Sequence, residues 1–234
     1  MGPFAKKIYQ ASRGGLFDLP SSWLPKNAVR VGEIASFNDN SGSLLSNSGG
    51  VSVLEDNKTI PNTITLASGE VLEKIDRVLL CTGYHMSFPF LRQYHRDFVG
   101  LDDADDEVIV TDGTQMHNLH KDIFYMRDTT LAFIGVPYHV ATFSLFEYQT
   151  IVVAAVFSGK AKLPEWSDMK EEYRKRLLDK GGGKAFHSLI NEEVEYVNSL
   201  VEWINRDGKL YGGNTIEGHS QRWKSRKKGL VWKL

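Results

Sequence analysis

Few residues of this chain are spaced for chemistry, and the candidates divide by type. His117 and His120 stand three apart, as two imidazoles on a helix do when they share a metal ion, but no third or fourth ligand is spaced to join them. Asp102, Asp103, Asp105, Asp106 and Glu107 form an acidic run that attracts cations; lacking the oxygen-ligand spacing of a calcium loop, it reads as a solvated loop. No metal site is expected. Cys81 is the single cysteine, which excludes an intramolecular disulfide and fits a reducing compartment. Set inside an apolar run, it reads as an inert core thiol. Gly14-Gly15, Gly49-Gly50 and Gly181-Gly182-Gly183 are clusters without the strand before and helix after that let helix amides hold a pyrophosphate, and no G-x-G-x-x-G occurs anywhere. No catalytic triad or paired carboxylate is visible.

The elements that must position these residues follow from patterning. Ile8–Ala11 reads as a short strand, and Val29–Phe37 alternates loosely enough to suit another. The segment 38–50, rich in Ser, Asn and Gly, reads as an exposed loop. Val51–Leu54 and Thr63–Leu66 read as a hairpin, and Ser68-Gly69 as the turn that leads to a buried strand at Val78–Cys81. Leu131–Ile134 is a second compact apolar strand. Ser144-x-x-Glu147 has capping-box spacing, which assigns Glu147 to a helix cap rather than to acid catalysis, and it opens a helix that is apolar on nearly every face and ends at Gly159. Asp168–Lys180 is a charged helix stopped by three glycines. Over 184–205, Leu189, Ile190, Val194, Val197, Val201 and Ile204 fall on one packed helical face, with Asp207-Gly208 as its end.

Several of these segments, taken in order, carry a resemblance. Ile75–Leu91 contains Asp76, an apolar run, Thr82-Gly83-Tyr84 and Pro89-Phe90-Leu91. It resembles the D-x-(apolar)-A-T-G-Y…PFL stretch of the flavin-containing monooxygenase family, with Cys81 where the family has alanine. Leu131–Pro137 resembles the family's second strand-to-glycine element. Phe143-x-x-x-Glu147-x-Gln149 resembles the helix that follows, and Leu163-Pro164 with Met169 resembles its LP…M stretch. Ala5–Arg13 resembles the AK-x-V-x-x-S-x-R segment of the family's nicotinamide domain.

The resemblance implies an α/β chain, an incomplete two-dinucleotide-binding-domain flavoprotein fold with carboxyl-terminal helices. It implies residues 1–83 as a partial NADPH-binding domain, 84–160 as a partial FAD-binding domain and 161–234 as a helical region. It implies a flavin enzyme that uses FAD, NADPH and O2 to oxygenate a nitrogen- or sulfur-containing small nucleophile, with the flavin carrying the chemistry. Ser12 and Arg13 match positions that recognise the adenosine 2′-phosphate, a role that suits a hydroxyl beside a guanidinium fork; a plain surface turn is the alternative. Thr82 and Gly83 match a turn whose backbone lies near nucleotide, against a plain strand end. Gln149 matches a position near the flavin ring, against a helix glutamine facing solvent. The catalytic residues are not identified. The family's fingerprints lie upstream of Ala5, so the chain reads as the carboxyl-terminal part of a longer enzyme. The alternative is a non-catalytic remnant or interaction module unable to bind cofactor alone. A disulfide reductase is disfavoured, because Cys81 has no C-x-x-C partner.

Composition narrows the setting. A formal net charge of −1 gives no pull toward nucleic acid. The longest apolar stretch, near Ile151–Phe157, falls short of the ~20 residues of a membrane span, and the expectation is a soluble, cytoplasmic protein. The basic, aromatic run Arg222–Leu234 reads as a solvated or partly packed terminus.

Overall fold

The computed structural model describes residues 5–14, 18, 20–38, 63–81, 83–97 and 99–229. The chain divides into two compact units, one built on residues up to Thr82 and the other on Gly83–Val231. The second unit therefore holds 84–160 and the helices after 160 together. The expected loop over 38–50, apart from Asn38, and the strand at Val51–Leu54 lie outside the described residues.

In the first unit, β1 (Ile8–Ala11) pairs in parallel with β2 (Ala28–Val31), Tyr9 standing opposite Val29. Strands β3 (Ile34–Asn38), β4 (Thr63–Leu66) and β5 (Val71–Leu72) form an antiparallel sheet. Period-two alternation along β4 buries Ile64 and Leu66, and Leu72 joins them, with Tyr9, Val31 and Ile34 packed around. The single expected strand over Val29–Phe37 is thus two strands, β2 and β3, in different sheets.

The turn at Ser68-Gly69, with Gly69 at φ 87°, leads to β5 and not to Val78–Cys81. No described strand pairs with 78–81; Val78 alone is half-buried, against Ile64, Leu66 and Leu72, and the residues after it turn to solvent. Leu79 is 60% and Leu80 78% exposed, and Cys81 is exposed as well. The buried strand and the core thiol expected there are both corrected.

In the second unit a short hairpin, β6 (Leu119–His120) with β7 (Phe124–Tyr125), lies at the centre. Its tight turn places Lys121 and Asp122 at φ 51° and 56°. Alternation sends Leu119 and Tyr125 into one cluster with Ile109, Val110, Met116 and Val136. Phe124 faces another, with Val152, Leu200, Trp203 and Ile204. Leu131–Ile134 runs beside β7 but contributes only a bridge at Ala132, held by Tyr125 N–H to Leu131 O and Phe133 N–H to Ile123 O. The strand expected there is reduced to that bridge, and Ile134 is exposed.

Three helices enclose the hairpin: α1 (Thr142–Phe157), α2 (Trp166–Lys180) and α3 (Glu193–Tyr211). Helix α1 packs on α3 through Leu145 and Val197, with Leu189 from the segment before α3 joining them. It buries Leu145, Gln149 and Val152 but leaves Phe157 exposed, so it is one-sided rather than buried all round. Helix α2 buries only Met169 and is fastened by charge: Glu172 to Lys121, Lys170 to Asp106, Lys180 to Glu192. Gly181, at φ 73°, ends it. The helix expected over 184–205 is a 3-10 turn at Gly183–His187 followed by α3, with the chain breaking at Asn191 (φ 62°). Asp207-Gly208 does not end α3; the left-handed Gly212 does. Gly208 is used for packing, since a Cβ there would stand 3.3 Å from the backbone of Gly213. A short basic helix, α4 (Gln221–Gly229), follows, its Trp223 stacked 3.4 Å from His219. Among the described residues no helix is long and apolar enough to cross a membrane.

Candidate functional site

The turn between the β7-paired segment and α1 is built around Gly135. Its φ of 90° suits glycine, and a Cβ would lie 2.6 Å from the Phe146 ring. Its N–H donates to Gln149 Oε1 at 2.8 Å, Gln149 Nε2 donates to the Tyr196 hydroxyl at 3.0 Å, and that hydroxyl donates to Lys121 O at 2.6 Å. Burial raises the Tyr196 pKa, so the phenol stays protonated and serves as that donor. Gln149 is thus fully buried and both ends of its amide are engaged within the protein.

Helix α1 starts one turn earlier than the capping-box spacing indicates. Its N-cap is Ala141, whose N–H is held by both carboxylate oxygens of the buried Glu193, at 3.0 and 3.1 Å. A carboxylate from α3 answers the positive end of the helix. Ser144 and Glu147 make no cap; Glu147 is exposed, and Ser144 Oγ lies 3.4 Å from His219 Nδ1.

Below the hairpin turn lies a buried charged cluster. Asp122 Oδ1 accepts from His187 Nδ1 at 2.9 Å and Oδ2 from Arg176 at 2.7 Å. His187 Nε2 accepts the Met116 N–H at 3.0 Å, which fixes the imidazole proton on Nδ1. Burial opposes ionisation of Asp122, but the His187 and Arg176 hydrogen bonds and charge outweigh it and hold its pKa below the ordinary carboxylate value. Gln115 ties in the glycine run, accepting Gly183 N–H at 2.8 Å and donating to Tyr173 at 2.9 Å. The cluster thereby fastens β6–β7, α2 and the 3-10 turn to one another.

The positions singled out in the sequence fall as follows. Ser12 and Arg13 sit just beyond the end of β1; Ser12 Oγ donates to Asp18 and accepts the Gly14 N–H at 3.0 Å, while Arg13 is exposed. Thr82 lies outside the described residues. Gly83 has φ 84° and lies beside the Lys184 ammonium, at 3.5 Å from a built Cβ. Gly83 and Gln149 belong to the second unit, and no described contact joins them. His117 bonds to Thr111 at 3.1 Å, and His120 lies on β6 rather than on a helix. In the acidic run, Asp105 closes a turn onto the Glu107 and Val108 N–H groups, while Asp106 and Glu107 pair with Lys170 and Arg127. Sequence reading did not find Glu193, Tyr196, Asp122 or His187, whose partners lie 47 to 75 positions away.

These residues do not fit the pyrophosphate of a dinucleotide. That group needs a glycine loop with free helix N-terminal amides. The described glycine-to-helix run, Gly135 into α1, already has its N-cap amide on a carboxylate, which would repel a phosphate.

Known proteins supply the wider frame. The family model described as flavin-binding monooxygenase-like matches residues 22–212. The flavin-containing monooxygenase ustF2 of Aspergillus flavus is 44% identical over 230 residues, covering 98% of this chain and 45% of that protein. The flavin-containing monooxygenase ustF1 of the same fungus is 50% identical over 121 residues, 52% of this chain and 30% of that one. The chain thus spans about half the length, or less, of these relatives. Among solved structures, the S-allyl-L-cysteine S-oxygenase from Allium sativum matches all of this chain and 51% of its own, with a TM-score of 0.58 at 20% identity, a likeness of fold. The strands, the helices and the 191-residue span from 22 to 212 agree on one assignment: this chain belongs to the flavin-binding monooxygenase-like family.

Proposed function

We propose that the protein works as a flavin-dependent monooxygenase that places one atom of O2 on the nitrogen or sulfur of a small nucleophilic molecule, with FAD as cofactor and NADPH as hydride donor. The observation that carries this reading is the family match over 22–212. Bound flavin supplies the oxygen chemistry in such enzymes, and the protein binds, orients and excludes water. For this chain the roles are positional. Arg13, exposed at the end of β1, pairs with the 2′-phosphate of NADPH, while Ser12 shapes the turn that presents it. Gln149 acts through Gly135, fixing the entry into α1. Gly83, left-handed at the start of the second unit, and Thr82 before it in sequence are assigned to the backbone that passes near nucleotide.

A second reading, an interaction module without cofactor, is favoured by one observation: the 234 residues contain no G-x-G-x-x-G. The two are separated by comparing this chain alone with the same chain joined to a segment bearing two such fingerprints. The chain alone is expected to purify colourless and bind neither FAD nor NADPH at micromolar levels. The joined protein is expected to be yellow and to consume O2 with NADPH when given a tertiary amine or a thioether. Stoichiometric flavin in the chain alone overturns the conclusion about the pyrophosphate cradle. A joined protein that binds flavin yet oxygenates neither substrate overturns the monooxygenase reading.

A further inference from the structure

Where β6, α2 and α3 meet, His120, Lys121, Glu172, Glu202, Trp203 and Arg206 line a cleft of about 460 Å3, within the size range of small-molecule sites. His120 is 1% exposed, and neither of its ring nitrogens has a hydrogen-bond partner among the described residues. Its Nδ1 faces Glu172 Oε2 at 3.7 Å, too far for a hydrogen bond. Burial pushes the His120 pKa down to about 4, with Glu172 raising it and Lys121 lowering it further, so the imidazole is neutral at pH 7. It therefore carries one N–H and one lone pair with nothing to meet them, an arrangement native interiors seldom leave unanswered.

The charges of the cleft are unevenly matched. Lys121 Nζ is spent on Glu172 Oε1 at 2.6 Å, and Arg206 Nε on Asp207 at 2.8 Å. Glu202 has no ion pair or hydrogen bond among the described residues. What the cleft still offers is, on one side, the Nη donors of Arg206 and, on the side of β6 and α2, acceptor capacity: Glu172 Oε2, the Glu202 carboxylate and an imidazole nitrogen. A metal ion is not the match, since no three His, Cys, Asp or Glu residues gather to ligate one among the described residues.

We propose that this cleft binds a small organic ammonium ion, whose N–H groups bridge His120 Nδ1 and Glu172 Oε2, whose charge is set against Glu202, and whose carbon chain lies against Trp203. A nitrogen can stand at hydrogen-bond distance from both of two acceptors 3.7 Å apart. The T-shaped contact of Trp203 with His120, at 5.8 Å between ring centres, holds the imidazole in place for it.

The test titrates the 234-residue chain, with 15N-labelled histidine, against n-butylammonium and 1,4-diaminobutane at constant ionic strength. Tetramethylammonium, which has charge but no N–H, and butyrate serve as controls. The expected result is a saturable shift of the His120 ring-nitrogen signals with the two amines alone. Glu202→Gln, an exposed change that leaves the packing intact, is expected to weaken binding about two- to fivefold. His120→Phe, followed by calorimetry, is expected to weaken it roughly tenfold or more. The proposal is overturned by equal shifts with tetramethylammonium or butyrate, by His120 signals that never saturate, or by unchanged affinity in both variants. Any of these means that water alone answers the imidazole.

Discussion

Asp122 and His187 meet at 2.9 Å with both side chains wholly out of solvent, 65 positions apart in sequence, and Arg176 closes the cluster from α2. Removing the Asp122 carboxylate leaves the Arg176 charge uncompensated and the His187 N–H without its anionic acceptor, at a cost of about 3–5 kcal/mol. Asp122→Asn is the clean substitution, because asparagine tolerates the positive φ of this turn. It should lower the urea midpoint strongly at pH 7. The folded-state pKa of Asp122 is depressed, so its contribution is present above the unfolded value of ~3.9 and is lost as pH falls below it. The gap between wild type and variant should therefore narrow below about pH 4. A gap that stays constant down to pH 3 would show that packing, not ionisation, is what the carboxylate provides.

Two other histidines act in a higher window. Burial holds the pKa of His117 and that of His120 down to about 4. The unfolded chain takes up protons near pH 6.5 while the folded one does not, so stability falls as pH drops from about 6.5 to 4. Each histidine can account for up to roughly 3 kcal/mol of that fall. Thermal midpoints measured from pH 7.5 to 4.5 should decline, and His120→Phe should flatten the slope. A midpoint independent of pH in this range refutes the assignment.

Gly135 combines a left-handed backbone with a ring 2.6 Å from where its Cβ would stand. Gly135→Ala should destabilise by about 1–3 kcal/mol through backbone strain and overpacking together. Adding Phe146→Leu removes the clash but not the strain, so the double variant should recover part of the loss. Full recovery in chemical denaturation would show that φ at 135 imposes no penalty.

Arg13 tests the cofactor reading. In a flavin-loaded, NADPH-oxidising form, Arg13→Ala should raise KM for NADPH about ten- to a hundredfold, as loss of a charge-assisted contact does. KM for NADH, which lacks the 2′-phosphate, should scarcely change. Equal losses would make Arg13 a support of the turn after β1.

The sequence by itself determined what local pattern controls. Strand β1, the alternating β4 and the charged α2 ending at Gly181 are each set by a period or a terminator within a few residues. The ordered motifs from Ala5 to Met169 determined the family. Tertiary structure decided the rest, because burial and capping depend on partners that spacing does not name. Val78–Cys81 has the composition of a core strand but pairs with no strand among the described residues, and Leu80 faces solvent. Ser144-x-x-Glu147 has the spacing of a cap, yet Glu193 of another helix takes the N-cap amide and α1 begins a turn earlier. His117 and His120 look like a pair on one face of a helix. On a strand and its approach they point into separate environments, one bonded to Thr111, the other left facing Glu172. Hydrogen bonds and charges are satisfied in three dimensions, and a one-dimensional pattern records only those whose partners are close along the chain.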